Sequence, residues 1–329
     1  MRTHFRGIGA ALAGLAAMAL GTGAEAAETT FRVNVFPILS NLAIYAAQAQ
    51  GFFAKRGLKV AIEVTPSSQA QRDGLAKGSF EIAHTAVDNA VAMVELAKVD
   101  VVIVMGGDNG LNELYVQPDI RSYADLRGKT VVVDAPNTAY ALILYKMLQL
   151  NGLRKGEYVV KSLGATRLRF EAMRKDKTYS ASMLVPPYTV SAEREGFRSF
   201  GPAVRAVGPY QAIGAVVLRP WAQANADTLV RYIQGYLEGL RWAMNPANKG
   251  EAAALVAQQL KLNPDVAAGS YEAAADPVNG FAKDARFDLE GFKNVLKLRA
   301  EIEGQWGGTP PPPEQYIDLS YYGRALAGL

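Results

Sequence analysis

The sequence contains no cysteine. This absence excludes disulfide scaffolds, thiolate zinc sites, iron–sulfur clusters, cysteine nucleophiles and a lipid anchor on an N-terminal cysteine. Histidine is almost as scarce, since His4 and His84 are the only two. A multi-histidine metal site or a Ser-His-Asp triad would therefore depend on His84, and we expect no metal, no other cofactor and no catalytic residue. His84 ends a predicted strand, where we expect a buried histidine with a structural role.

The excess of basic over acidic residues is also small. The 35 Lys and Arg residues against 31 Asp and Glu residues give a formal net charge of +4. This small excess does not match the clustered basic surface of nucleic-acid-binding proteins, so we expect no nucleic-acid partner. With 329 residues, the chain exceeds the roughly 250 to 300 at which a single hydrophobic core stops growing, which predicts two lobes.

A long apolar run occurs only at the N-terminus. Arg2 and Arg6 precede an uncharged stretch from Gly7 to Gly23, which is followed by Ala24-Glu25-Ala26. This order is typical of a secretory signal peptide. A membrane anchor is the alternative, but the strongly apolar part is shorter than the roughly 20 residues that a spanning helix needs. We predict that residues 1–26 are removed and that the mature protein is periplasmic and soluble.

Short β-rich runs alternate with helical patterns from Phe31 onward, which is typical of α/β proteins with mainly parallel sheets. The strand and helix alternation before about residue 115 suffices for one lobe, and a second series of strands and helices begins after it. Beyond the run Gln211–Leu218 the sequence is nearly all helical. We therefore predict a first lobe formed by residues 27–115 and 213–329, the latter part largely helical, and a second lobe formed by residues 116–212.

The loops that follow the predicted strands are the candidate binding region. Ligands of open parallel sheets bind beyond the carboxyl ends of the strands, and these loops are rich in Asn, Thr, Asp, Pro and Tyr, which suit a small polar solute. Asn41, Asp88 and Thr138 have an alternative role as helix N-caps. The candidate ligand-binding residues are Pro37, Ile38, Leu39, Asn41, Thr85, Asp88, Asp108, Asn109, Asn137, Thr138, Tyr140, Pro187 and Tyr188.

Three segments carry a resemblance to a known family. The first is residues 41–60, with Gly-Phe-Phe-Ala-Lys-Arg-Gly-Leu-Lys-Val at its end; the second is residues 74–83; the third is residues 124–133, with Asp-Leu-Arg-Gly-Lys. Together they resemble the solute-binding proteins of ABC importers. The most similar branch contains binders of taurine, alkanesulfonates, nitrate and pyrimidine precursors and includes proteins like thiamine-precursor synthases. The resemblance covers nearly all of the mature chain.

The resemblance implies a fold and a function. The fold is the α/β, two-lobed type II periplasmic-binding-protein fold, in which each lobe is a mainly parallel sheet flanked by helices. A cleft separates the lobes, and two crossover strands, matched to Leu111–Val116 and Gln211–Leu218, form the hinge. The implied function is that of an extracytoplasmic monomer that captures a small polar organic solute and delivers it to the membrane permease of an ABC importer.

The sequence leaves the solute open. Converging helix N-termini favour an anion, whereas Asp88 and Asp108 favour an amine-bearing group. Arg167, at the start of a predicted helix, is the basic residue that we place near the cleft, although a solvated role is the stronger expectation. Sulfonate, carboxylate, a nitrate-like anion, a pyrimidine or another amine-bearing solute all fit. Two alternative functions are an enzyme on this scaffold that acts on a pyrimidine or a sulfur-containing compound, and a sensor subunit that presents the solute to a receptor.

Overall fold

A computed structural model of the chain describes residues 29–277 and 279–329, together with Met1 and Thr3. The predicted signal peptide, including His4, lies outside the described residues apart from Met1 and Thr3. Within the described part of the chain, no helix is both long enough and apolar enough to cross a bilayer.

The described residues form ten strands in two sheets. The strands are β1 (Thr29–Val35), β2 (Leu58–Val64), β3 (Ile82–Ala86), β4 (Val101–Met105), β5 (Glu113–Val116), β6 (Thr130–Val133), β7 (Val159–Ser162), β8 (Tyr179–Leu184), β9 (Arg198–Pro202) and β10 (Ile213–Leu218). The first sheet has the order β2-β1-β3-β10-β4, and the second has the order β7-β6-β8-β5-β9.

Each sheet is mainly parallel and contains one strand of opposite direction. In the first sheet β1 pairs in parallel with β2 and β3, and β10 is antiparallel to both β3 and β4. In the second sheet β6 pairs in parallel with β7 and β8, and β5 is antiparallel to both β8 and β9. The reversed strand of each sheet is the one that enters it from the other sheet.

Helices flank both sheets. They are α1 (Leu42–Ala49), α2 (Ser68–Ala76), α3 (Val87–Glu95), α4 (Ala139–Leu150), α5 (Thr166–Lys175), α6 (Tyr188–Arg194), α7 (Val204–Val207), α8 (Arg219–Ala224), α9 (Ala226–Ala243), α10 (Lys249–Leu260), α11 (Pro264–Ala275), α12 (Leu289–Glu303) and α13 (Ser320–Ala327). Helix α12 contacts both α3, beside the first sheet, and α4, beside the second.

Local sequence explains where several elements begin and end. Gly57 has a φ of +66°, which suits glycine and lets the chain turn from α1 into β2. The side chain of Ser67 caps α2 by accepting a hydrogen bond of 3.1 Å from the backbone N–H of Ala70. Strand β4 consists of Val, Ile and Met residues that are all buried, as expected for a strand covered on both faces.

The chain passes between the sheets twice, between β4 and β5 and between β9 and β10. All of β5 pairs in the second sheet from Glu113 onward, and β10 pairs in the first sheet from Ile213 onward. The two passages are therefore residues 106–112 and residues 203–212. The lobe limits at residues 115 and 212 stay a prediction, and the first of them falls inside β5.

Candidate functional site

A cavity lies between the two sheets, at the edge where the carboxyl ends of their parallel strands meet. Its empty volume, counted together with the solvent-filled space at its mouth, is about 450 Å³. Four helices, α2, α3, α4 and α5, place residues of their first turns on its wall. The lining residues are Phe36, Ile38, Ser68, Ala86, Asn89, Asp134, Thr138, Ala139, Tyr140, Ala165, Thr166, Arg169 and Ile213.

Arg169 is the basic side chain of the cavity wall. It is 2 % exposed, and its guanidinium donates to Ser182 Oγ at 3.0 Å, to the Met183 carbonyl at 2.9 Å and to Thr166 Oγ1 at 2.8 Å. All these partners are neutral, and among the ion pairs of the described residues none includes Arg169. Its Nε atom is buried and has no hydrogen-bond partner.

Burial lowers the pKa of Arg169, while the nearby Asp134 and Tyr140 act in the opposite direction. An arginine guanidinium nevertheless stays protonated in proteins. A buried cation without a carboxylate in contact is costly, and a bound group that accepts a hydrogen bond from Nε would offset part of that cost. The geometry of Arg169 thus favours a solute with a negatively charged or strongly accepting oxygen.

Asp134 follows β6 and is the acidic side chain of the cavity wall. Its Oδ2 atom accepts a hydrogen bond of 3.1 Å from the backbone N–H of Ser68, at the start of α2. This bond joins a loop of the second sheet to a helix of the first. The other carboxylate oxygen, Oδ1, is buried and has no hydrogen-bond partner within the described part of the chain.

Asn89 on α3 is another polar residue of the cavity wall, and its side-chain amide already forms hydrogen bonds within the protein. Its amide donates to Thr85 Oγ1 at 2.7 Å and to Ser68 Oγ at 3.3 Å, and its Oδ1 accepts from Arg72 at 3.3 Å. These bonds hold the first turns of α2 and α3 together. Among the described residues of the wall, the buried side-chain atoms without a hydrogen-bond partner therefore belong to Arg169 and Asp134.

The family model described as NMT1/THI5 like matches residues 40–249. The chain belongs to this family. A search of curated proteins found no match. Many solved structures do match, and the following likenesses show the fold.

The periplasmic nitrate-binding protein NrtA of Synechocystis PCC 6803 has a TM-score of 0.75 at 13% identity, over 92% of this chain and 89% of that one. The alkanesulfonate-binding protein SsuA of Xanthomonas axonopodis pv. citri, bound to MOPS, has a TM-score of 0.69 at 15% identity, over 86% of this chain and 95% of that one. The desulfurization enzyme DSZB has a TM-score of 0.64 at 13% identity, over 91% of this chain and 99% of that one. The predicted family branch and the predicted two-lobed type II fold are confirmed.

Three of the residues predicted for ligand binding in this NMT1/THI5-like protein line the cavity: Ile38, Thr138 and Tyr140. Thr138 precedes α4, and its hydroxyl donates to the Ala135 carbonyl at 2.9 Å. Tyr140 lies in the first turn of α4 and is partly buried, and this burial raises the pKa of its hydroxyl. The other predicted residues are not part of this lining, and their role in binding stays a prediction: Pro37, Leu39, Asn41, Thr85, Asp88, Asp108, Asn109, Asn137, Pro187 and Tyr188.

The two acidic residues of this second group have partners inside the protein. Asp88 forms a buried ion pair of 2.6 Å with Arg299. Asp108, in the first passage between the sheets, accepts a hydrogen bond of 2.5 Å from Ser40 Oγ. Burial raises the pKa of Asp108. Both side chains therefore act within the protein's own contacts in this structure, and the acidic group at the cavity is Asp134, which we did not single out.

Tyr188 and its neighbours join the loops of the two sheets. The Tyr188 hydroxyl donates to the Pro37 carbonyl at 3.0 Å, and the Leu39 backbone N–H donates to the Pro186 carbonyl at 3.1 Å. We expected Tyr188 in a loop, but it is the first residue of α6, and its ring contacts Phe170. Asn41 donates to the carbonyls of Phe36 and Ile38 and so shapes the loop after β1.

His84 and Arg167 have the roles that the sequence favoured. His84 is buried, its Nε2 lies 2.8 Å from the Tyr232 hydroxyl, and its ring stacks on Tyr236. Burial lowers the pKa of His84 to about 3. Arg167 is half exposed and forms an ion pair of 2.8 Å with Glu171, one turn along α5. Neither side chain lines the cavity.

Sequence reasoning missed Arg169 although it lies two residues after Arg167. The helical period was the signal that could have found it. Residues 166 and 169 are three apart and so share one face of α5, and Thr166 and Arg169 are indeed both buried. Arg167 lies on a different face. No cluster of three acidic or histidine side chains in the described ranges could hold a metal ion.

Proposed function

We propose that this protein is an extracytoplasmic solute-binding protein that captures a small polar organic solute in the cavity between its two sheets. The observation that carries the proposal is Arg169, a buried guanidinium on the cavity wall with an unused N–H and no carboxylate in contact. Two chain passages link the sheets, so that the lobes can rotate about few torsions and close around a solute.

The wider setting follows from the sequence and the fold together. NrtA and SsuA are described as binding proteins, for nitrate and alkanesulfonate, and they share the fold. We propose that residues 1–26 are removed on export and that the mature protein is a periplasmic monomer. In this proposal it delivers its solute to the membrane permease of an ABC importer.

The test begins with protein exported with its own N-terminal segment and purified without unfolding. Mass spectrometry of the heat-released small molecules should find a stoichiometric organic solute. Added back to solute-free protein, the recovered compound should raise the melting temperature and remain unchanged. At a hundredfold excess over its Kd, binding adds about 2.7 kcal/mol to the stability of the native state.

A matched pair of variants on α5 locates the site. Arg169→Gln should weaken binding of the recovered compound by at least tenfold, or about 1.4 kcal/mol. Arg167→Gln removes the same charge two residues away, on the solvated face, and should bind like the original protein. Equal affinity in both variants, or protein that never carries or binds a small polar solute, would contradict the proposal.

An enzyme on this scaffold is the second candidate, because DSZB, a desulfurization enzyme, shares the fold. The cavity wall of the present chain offers the hydroxyls of Ser68, Thr138, Tyr140 and Thr166 and the carboxylate of Asp134, but no cysteine or histidine. Chromatography of the recovered compound after hours with the protein separates the two functions. Conversion of the compound, lost in Asp134→Asn, would favour the enzyme.

A further inference from the structure

Two polar atoms on the cavity wall are buried and have no partner: Nε of Arg169 and Oδ1 of Asp134. One is a donor on a cation and the other is an acceptor on an anion. Buried polar atoms in native proteins are usually hydrogen-bonded, so two unsatisfied atoms of opposite type in the lining of one cavity are candidates for bonds to a molecule that enters it.

The two side chains do not satisfy each other. No ion pair within 4.0 Å joins Arg169 and Asp134, whose remaining polar atoms are used by the described residues around them. Arg169 is held from β8 and α5, whereas Asp134 is held by the start of α2. Each side chain is therefore held by its own partners, and both belong to the lining of one cavity.

The remaining wall is uncharged. Arg169 and Asp134 are the charged members of the lining, and they carry opposite signs, so the wall has no formal net charge. Phe36, Ile38 and Ile213 supply apolar surface beside them. Such a wall suits a carbon skeleton that separates an oxygen-bearing group from an N–H group, and it suits a bare inorganic anion poorly.

We infer that the solute is a small organic molecule that carries both an anionic oxygen group, bound by Arg169 Nε, and an N–H donor such as an amine, bound by Asp134 Oδ1. This inference rests on the proposed function and narrows its solute to compounds without net charge that hold both groups. Asp134 is then the residue that distinguishes amine-bearing acids from simple acids. A carboxylate without an attached donor would lie near the charge of Asp134 without a compensating bond, which disfavours it.

Calorimetry on solute-free, refolded protein tests the inference with defined probes. The probes are unbranched ω-amino carboxylic acids of two to six carbons, together with the acid and the amine of each length that lack the second group. We expect at least one amino acid to bind about tenfold or more tightly than both of its single-group analogues, since each analogue leaves one buried charge unpaired. An acid or an amine that binds as tightly as its amino acid would overturn the inference.

Variants assign the donor-binding role to Asp134. Asp134→Asn should lower the affinity for the amino acid about tenfold and should retain or strengthen binding of the matching acid, because a negative charge is removed. Asp119→Asn, in an exposed turn of the same sheet's connections, is the control and should change neither value. Melting temperatures of both variants show whether they are folded. An unchanged preference in folded Asp134→Asn contradicts the inference.

If none of the probes binds, the chemical identity of the solute released from native protein tests the inference. A released compound with both an acidic group and an N–H donor supports the inference. A released compound that lacks either group overturns it while leaving the proposed function intact. Protein that neither releases nor binds any small polar compound removes the proposed function itself.

Discussion

His84 shows how a single buried side chain contributes to pH dependence. Its ring lies between Tyr232 and Tyr236, and burial holds its pKa at about 3 against an ordinary value of 6.5. The unfolded chain therefore takes up a proton at this residue at a higher pH than the folded chain. The stability that neutral His84 provides is fully present above about pH 6.5 and decreases as the pH falls from there towards 3.

We predict that His84 makes the protein less stable at pH 5.5 than at pH 7.5 by about 1.4 kcal/mol, since each pKa unit corresponds to 1.36 kcal/mol. His84→Gln, which retains a polar side chain beside Tyr232, should lose this part of the pH dependence. Urea unfolding of both proteins at the two pH values measures the difference. The same pH dependence in both would mean that His84 titrates normally in the folded state.

Arg169 and Asp134 show where residue-level prediction stops. The residue types in the loops after the strands predicted polar side chains at one edge, and Thr138 and Tyr140 lie there. Which of several neighbouring polar residues faces the cavity depends on the helical face and on partners far away in the chain. Asp88, for example, meets Arg299 from a helix near the C-terminus, and no local pattern gives that pairing.

Helix α9 packs on α1 through a glycine, and this contact is a property of the two elements together. A Cβ atom on Gly239 would lie 2.3 Å from the Ala43 carbonyl oxygen and 2.7 Å from the Ala47 backbone nitrogen. Such distances require the helices to move apart. Gly239 therefore allows a backbone-to-backbone approach that a larger residue would prevent.

Gly239→Ala should destabilise the protein by about 1–3 kcal/mol, because overpacking outweighs the gain of about 1 kcal/mol in helix propensity. Gly250→Ala, near the start of α10, is the matched control, since a Cβ there meets nothing within 4 Å. That control should be neutral or slightly stabilising. Urea unfolding of the two variants measures the contrast, and equal effects would show that α1 and α9 separate without cost.

The ion pair between Asp88 on α3 and Arg299 on α12 is almost completely buried, with side chains that are 1% and 0% exposed. Arg299→Met leaves the carboxylate uncompensated, so we predict a loss of about 3–5 kcal/mol in the free energy of unfolding. Adding Asp88→Asn should recover a substantial part of this loss. Lys297→Met, on the exposed face of α12, is the control and should remain within about 0.5 kcal/mol. A small effect of Arg299→Met would mean that water reaches Asp88.

At the scale of the whole molecule, periodicity predicted most of the fold. The alternation of β-rich and helical runs predicted mainly parallel sheets, and helices such as α11 and α12 lie beyond Leu218, in the region predicted to be nearly all helical. Local sequence does not indicate strand β9, because Arg198–Pro202 contains Gly201 and Pro202, which are disfavoured inside strands, and because its pairing partner is the distant strand β5. Long-range pairing, rather than local preference, decides that strand.

A crystal structure of the exported protein, purified without unfolding and saturated with its co-purified compound, would show whether the cavity at Arg169 holds a small organic solute. We expect density for one small molecule enclosed by both sheets, with an oxygen atom within hydrogen-bond distance of Arg169 Nε. Density for the compound elsewhere, such as the surface groove lined by Leu240, Arg241 and Phe281, with only water at Arg169, would contradict this expectation.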